Sequence, residues 1–139
     1  MAHKQWVFDP DSGGIKIPEN KKREVTQRIE KFAAENYAEK YIRLAIRFRS
    51  QFCYIDAYTE PFIADGWAPA DWPETREEMM ERLRNTPTHL CRLRYFGGDK
   101  WGFAFYTYSN EKYELSVFPD GNFFGLPEDA FAAAAMYLE

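Results

Sequence analysis

The stretch "YIRLAIRFRSQFCYIDAYTEP", residues 41–61, contains two segments whose side chains alternate in character with a period of two. The segments 41–49 and 52–59 are therefore predicted to be β-strands, joined at hairpin distance by Ser50 and Gln51. With that loop, the predicted cross-strand pairs are Arg49 with Phe52, Arg47 with Tyr54, Arg43 with Tyr58, and Ile46 with Ile55. The arginines then share one face of the hairpin and the aliphatic residues share the other, which supports this register.

The rest of the chain is predicted to form three helices and three further strands. The first helix is expected from Pro18 to about Ala38, and the third from Pro127 to the C-terminus. The second is expected to begin at Thr75, which has the spacing of a capping box with Glu78, and to end at residues 85–87. The further strands are expected at His89–Phe96, Trp101–Tyr108 and Tyr113–Phe118, and "WVF" (6–8) fits a short additional strand. This order predicts a single α+β domain over residues 1–139. Its antiparallel sheet of about five strands carries three helices mainly on one face.

Composition narrows the class of protein. The chain has 139 residues, of which 45% are hydrophobic and 29% charged, as in a single globular domain. It has no apolar run of membrane-spanning length, no secretory signal and only two cysteines, so a reduced, cytoplasmic protein is expected. The net charge of -4 argues against a generally basic nucleic-acid-binding protein, although it allows a local basic patch.

The sequence lacks the motifs of most metal-binding, phosphate-binding and catalytic sites. His3 and His89 are the only histidines, and neither a metal-binding motif nor a phosphate-binding glycine motif is present, so no metal and no cofactor are expected. The segment "DPDSGGIKIPEN" (9–20) resembles a calcium-binding loop but ends in Asn20 where the bidentate glutamate belongs. His89 and Cys91 point the same way if their strand is regular, but no carboxylate can be named to orient the histidine. A cysteine nucleophile is therefore not favoured.

The candidate site is the polar face of the predicted sheet. Its predicted members are Arg43, Arg47, Arg49, Tyr54, Asp56 and Tyr58 from the hairpin, Arg92 and Arg94 from the third strand, and Tyr106 and Tyr108 from the fourth. The two tyrosines of the fourth strand belong to it only if the loop at 97–99 has an odd length, which places Trp101, Phe103 and Phe105 under the helices.

Glu114 is a further candidate for this face. The simplest interpretation is a solvated surface on which the arginines pair with Asp56, Glu60 and Glu114. Five arginines against three carboxylates leave an excess of two, which indicates an anionic ligand.

Two segments carry a family resemblance. "TPTHLCRLRYFGGDKWGFAFYTYSNEKYE" (86–114) and "FCYIDAYTEP" (52–61) resemble segments of uncharacterised bacterial proteins of about this length. The resemblance implies a bacterial cytosolic protein. It implies no activity and no catalytic or binding residues.

Three hypotheses on function follow. The first is a small non-enzymatic binding module whose Arg/Tyr face takes an anionic ligand, either a nucleic-acid strand with its bases stacked on the tyrosines or an acidic partner protein. The second is a hydrolase of phosphorylated or acidic substrates with Asp56, Glu60 and Glu114 as acid–base groups. The third is a structural protein that forms homo-oligomers through Trp67 and Trp72 in the aromatic, proline-rich loop 61–73.

Overall fold

The computed structural model of the protein describes residues 12–138, so the strand predicted at 6–8 lies outside the described residues. The elements are α1 (Glu19–Asn36), β1 (Arg43–Arg49), β2 (Phe52–Tyr58), α2 (Arg76–Arg84), β3 (Thr88–Tyr95), β4 (Trp101–Thr107), β5 (Lys112–Ser116) and α3 (Pro127–Ala134). Two short 3-10 helices lie at Ala38–Lys40 and Ala135–Leu138. The strands form one antiparallel sheet in the order β1-β2-β3-β4-β5, which confirms the predicted α+β fold.

The first hairpin has the predicted register. Arg49 lies opposite Phe52, Arg47 opposite Tyr54 and Arg43 opposite Tyr58. The two-residue turn is closed by Ser50, whose φ of 55° lies in the left-handed region that tight hairpin turns require. The turn therefore forms without the glycine or asparagine that usually takes this position.

Helices α1 and α3 cover the sheet face opposite the arginines. Buried helix residues, which include Val25, Ile29 and Phe131, pack against inward-facing strand residues, which include Leu93 and Phe103. Cys53 and Cys91 lie in this core as fully buried free thiols. The apolar and polar faces are therefore assigned as the sequence predicts.

Helix α2 starts as predicted and belongs to a separate small cluster. The Thr75 hydroxyl accepts a hydrogen bond from the Glu78 amide at 3.0 Å, and the Glu78 carboxylate accepts one from the Thr75 amide at 2.8 Å. The buried residue of α2, Met79, lines a groove together with Ile63 of the preceding loop. None of the helices within residues 12–138 is long and apolar enough to cross a membrane.

A β-bulge interrupts the pairing of β2 with β3. Ile55 lies opposite Cys91, but the next residue, Asp56, lies opposite His89, so Leu90 is the extra residue on β3. Leu90 and Cys91 are both buried in the core. The prediction that His89 and Cys91 point the same way holds only for a regular strand. The bulge overturns it by turning His89 onto the polar face beside Asp56.

Candidate functional site

The polar face is concave. Tyr54 on β2 and Tyr113 on β5 are three strand spacings apart, about 14 Å in a flat sheet, yet their ring centroids lie 5.5 Å from each other. The sheet therefore curls around this face and encloses a cleft of about 450 Å³. The cleft is lined by Arg47, Phe48, Arg49, Tyr54, His89, Tyr106 and Tyr113.

Tyr106 lies on this face because of the length of the loop between β3 and β4. That loop spans the five residues 96–100, an odd number, and pairs Tyr95 with Trp101 and Leu93 with Phe103. Trp101 and Phe103 are consequently buried under the helices. The condition set for Tyr106 and Tyr108 is met, and the two rings lie 4.8 Å apart.

A buried carboxylate joins two cleft residues. The Asp56 side chain is 5% exposed and accepts hydrogen bonds from Arg47 Nη2 at 3.1 Å and from His89 Nδ1 at 2.9 Å. Because a carboxylate only accepts, Nδ1 carries the proton, and in the neutral ring Nε2 keeps a free lone pair. No hydrogen bond joins Nε2 to another of residues 12–138. Asp56 therefore fixes both the tautomer and the orientation of His89.

The bulge that places His89 is held by Tyr108. The Tyr108 hydroxyl accepts a hydrogen bond from the His89 amide at 2.6 Å and lies 3.4 Å from the His89 carbonyl oxygen, to which it donates. These bonds satisfy backbone groups that the interrupted ladder leaves without strand partners. The Tyr106 ring packs on the imidazole with a centroid separation of 4.6 Å. The histidine is thus fixed through its backbone and its ring.

Two arginines of the hairpin lie over aromatic rings. The Arg43 guanidinium is 3.7 Å from the centroid of Tyr58, and that of Arg47 is 4.8 Å from the centroid of Tyr54. A guanidinium that lies over a ring face still has N–H groups along its edge, and these can bind an oxyanion. Arg43 and Arg49 form no ion pair with any residue from 12 to 138. Neither charge is neutralised by a carboxylate of the described residues.

Arg92 and Arg94 complete the face on β3. Their guanidinium groups lie 4.5 and 4.8 Å from the centroid of the Phe52 ring, and that of Arg92 is also 5.6 Å from the Tyr113 ring. Arg94 donates a hydrogen bond to the carbonyl oxygen of Gly13 at 2.9 Å. Arg92 therefore lies beside the cleft residue Tyr113, and Arg94 connects the polar face to the segment that precedes α1.

Two of the three predicted carboxylates lie elsewhere. Glu114 pairs in register with Phe105, so it belongs to the opposite face, where it accepts hydrogen bonds from Thr107 and Asn110. Glu60 forms an ion pair with Arg84 of α2 at 2.7 Å. The structure therefore does not assemble the predicted acid–base set of the hydrolase hypothesis. Among the described strand positions of the polar face, Asp56 is the single carboxylate.

Sequence reasoning missed His89 and Tyr113. The adjacent apolar residues Leu90 and Cys91 break the alternation of β3, and such a break is the sequence signal of a bulge. Tyr113 lies directly opposite Tyr106, an aromatic cross-strand pair with a centroid separation of 5.1 Å. Pairing these two tyrosines would have set the register of β5 and excluded Glu114 from the face.

The titration of the buried groups limits the chemistry of the cleft. Burial raises the pKa of the Tyr113 phenol, and the negative charge of Asp56 raises it further, while Arg47 opposes the shift. The phenol is therefore protonated at neutral pH and can donate a hydrogen bond. Burial also raises the pKa of Cys53 and of Cys91, so neither thiol is an activated nucleophile.

Within residues 12–138 no group of three or more His, Cys, Asp or Glu side chains is arranged to hold a metal ion. Comparison of the chain with protein-family models, with curated proteins and with solved structures found no match.

Proposed function

We propose that this protein is a cytoplasmic binding module that takes a nucleotide unit into the concave cleft of its sheet. The phosphate lies against Arg47 and Arg49, and the base lies among the rings of Tyr54, Tyr106 and Tyr113. The observation that carries this proposal is the curl of the sheet, which gathers guanidinium groups and phenol rings around one cavity of about 450 Å³. That volume is in the range of small-ligand sites.

The choice of a phosphate rests on the hairpin arginines. Arg suits bidentate contacts to phosphate, and stacking on a ring holds the guanidinium in place before the ligand arrives. Arg49 has no ion-pair partner among the described residues, and Arg47 shares its ion-pair partner, Asp56, with His89. An anionic phosphate would therefore meet two guanidinium groups and one largely buried carboxylate.

The choice of a single nucleotide unit rests on the state of the rings. Several ring faces of the sheet are already covered, as Tyr58 is by Arg43, so a long strand stacked along the whole face would have to displace arginines. Tyr108 is 50% exposed and offers a ring to a neighbouring base. The unit can be a free nucleotide or one nucleotide within a single strand, since both present a base and an anionic phosphate.

Fluorescence anisotropy tests the proposal with labelled single-stranded RNA, single-stranded DNA and heparin at low and high salt. Arg47→Gln is expected to weaken nucleic-acid binding by about 10- to 100-fold, the value of a hydrogen bond to a charged group. The loss should shrink as salt rises, because each arginine–phosphate contact releases counterions. The matched control is Arg23→Gln, which removes the same charge from the exposed side of α1.

Competition by a nucleoside monophosphate separates the two sources of the ligand. Displacement of the labelled strand at micromolar concentration supports a free nucleotide, and displacement by oligonucleotides alone supports a strand. Equal binding by Arg47→Gln and the wild type would place the ligand elsewhere. If none of the three probes binds at low salt and a fluorescent nucleoside monophosphate does not bind either, the proposal is wrong, and an acidic partner protein becomes the remaining explanation for the arginine face.

Self-association through the aromatic loop is a second candidate function. The Phe62 side chain is 88% exposed and Trp67 is 54% exposed, and Trp67 packs edge-to-face on Trp72 with a centroid separation of 5.3 Å. Apolar side chains clustered at the surface favour a protein–protein interface. The loop lies on the α2 side of the molecule, so self-association and ligand binding can be measured independently.

A further inference from the structure

We infer that the protein cleaves RNA at the cleft, with His89 as the general base that takes the proton of a ribose 2′-hydroxyl. The inference rests on the proposed function, because the same cleft must first hold the nucleotide. It goes beyond binding by assigning a reaction to a residue that phosphate recognition does not need.

The first support is the geometry of the base. The Nδ1–H group of His89 donates a hydrogen bond to Asp56 at 2.9 Å. The lone pair of Nε2 is therefore the proton acceptor of the ring. The His89 side chain is 33% exposed and lines the cleft, so a ligand can reach it. A histidine that is oriented by a buried carboxylate and exposed to the cleft is suited to act as a general base.

The second support is the bulge itself. A regular β3 would place His89 on the same side as Cys91, in the core; the extra residue Leu90 turns it into the cleft instead. Bulges interrupt a hydrogen-bond ladder and are frequent beside active sites, where they re-aim a side chain. Here the interruption is stabilised by the Tyr108 hydroxyl, which bonds the His89 backbone. The fold therefore devotes two side chains, Asp56 and Tyr108, to the placement of one histidine.

The reaction is an internal transphosphorylation and consumes no other reactant. His89 Nε2 takes the 2′-hydroxyl proton, and the 2′-oxygen attacks the adjacent phosphorus. The bond from phosphorus to the 5′-oxygen breaks, and that oxygen leaves with a proton from solvent water. His89 then returns its proton to the solvent. The products are a 2′,3′-cyclic phosphate and a free 5′-hydroxyl, and Arg47 and Arg49 stabilise the charge that develops on the phosphoryl oxygens.

The experiment uses the full chain and three labelled oligonucleotides of one sequence: RNA, DNA and 2′-O-methyl RNA. Wild-type protein is expected to bind all three and to cleave only the RNA, with a cyclic phosphate terminus detected by mass spectrometry. His89→Gln should lower the cleavage rate by about 100-fold or more, the contribution of a general base. Its affinity for the uncleavable 2′-O-methyl strand should stay within a few-fold of wild type.

Asp56→Asn tests the positioning residue. The amide keeps the shape of Asp56 but removes the charge that fixes the tautomer of His89, so cleavage should slow. Because Asp56 also pairs with Arg47, the rate is measured at saturating protein, where a change in affinity does not alter it. Added imidazole should restore part of the activity of His89→Ala, an effect that a merely structural role of the histidine would not give.

The outcomes separate the two proposals. RNA that binds and stays intact with the wild type overturns the cleavage inference and leaves the binding function standing. Cleavage that persists in His89→Gln also overturns it, because the activity then belongs to another residue or to a contaminating nuclease. If the wild type binds none of the three strands, the cleavage inference is overturned, and the binding proposal is overturned with it if a nucleoside monophosphate does not bind either. The comparison of RNA with 2′-O-methyl RNA uses the wild-type protein alone, so the test stays decisive even if a variant fails to fold.

Discussion

Replacement of Arg28 by methionine is expected to destabilise the fold by about 2 kcal/mol. Arg28 lies on α1 and joins three parts of the molecule through its guanidinium group, which contacts Glu24 at 3.0 Å, Asp99 in the β3–β4 loop at 2.7 Å and Glu128 in the first turn of α3 at 2.8 Å. The contacts to Asp99 and to Glu128 are each bidentate. The Arg28 side chain is 23% exposed, so water screens the network only in part.

The magnitude follows from the exposure of the partners. The pair with Glu24 along α1 contributes roughly 0.3–0.5 kcal/mol. The bidentate pairs with Asp99 and Glu128, whose side chains are 43% and 26% exposed, contribute about 1 kcal/mol each, the upper end for exposed pairs. Methionine keeps the apolar stem, so the loss is that of the charge. For a chain of this size a loss of about 2 kcal/mol lowers Tm by roughly 6 °C.

Urea denaturation followed by circular dichroism measures the effect. The midpoint should fall at an unchanged slope, since no surface is newly exposed. Arg23→Met on the same helix is the matched control and should change the free energy of unfolding by less than about 0.5 kcal/mol. If Arg28→Met and Arg23→Met had equal stability, the network would contribute nothing and the reasoning would be refuted.

The same network predicts a dependence on pH. The hydrogen bond from Arg28 lowers the pKa of Asp99 below its ordinary value of 3.8. A lowered pKa in the folded state gives a stabilisation that is complete above the unfolded value and is lost as pH falls through the folded value. The stability difference between wild type and Arg28→Met should therefore shrink as the pH falls below 3.8, through the lowered pKa of Asp99 in the folded state. An equal difference at pH 7 and at low pH would contradict this assignment.

Two further predictions concern packing and assembly. Gly125→Ala should cost about 1–3 kcal/mol, because its Cβ would lie 2.7 Å from the buried ring of Phe118; Phe118→Leu in the same chain should recover part of the loss, and an unchanged Tm for Gly125→Ala would show that the ring can move. Trp67→Ala should abolish concentration-dependent sedimentation of the wild type by removing the ring that packs on Trp72; a wild type that is monomeric at every concentration would exclude self-association through this loop.

Local patterns in the sequence were sufficient to predict the helices and strands and most residues of the polar face. Alternation in residues 41–59 gave the hairpin register, because a shift by one residue would exchange the buried and the solvated faces. The capping box at Thr75 and Glu78 gave the start of α2, because both of its hydrogen bonds are local. Arg47, Tyr54 and Asp56 were assigned to one face on the same ground.

The cleft itself was decided by tertiary structure. The curl of the sheet brings Tyr54 and Tyr113 together across three strand spacings, and no period within a single strand encodes that approach. The position of Glu114 on the opposite face depends on the register of β5 against β4. The four-residue turn between these strands does not predict that register.

The placement of His89 shows the limit most clearly. Strict alternation assigns His89 to the core beside Cys91, and the side chain turns to Asp56 only because Leu90 is inserted as a bulge opposite Ile55. Side-chain direction in a strand depends on the count of residues since the last irregularity, so one extra residue reverses every assignment beyond it. The sequence by itself determined which residues form strands and which face is polar. The pairing of neighbouring strands, a property of the folded sheet alone, decided that His89, Asp56 and Arg47 meet in one cleft.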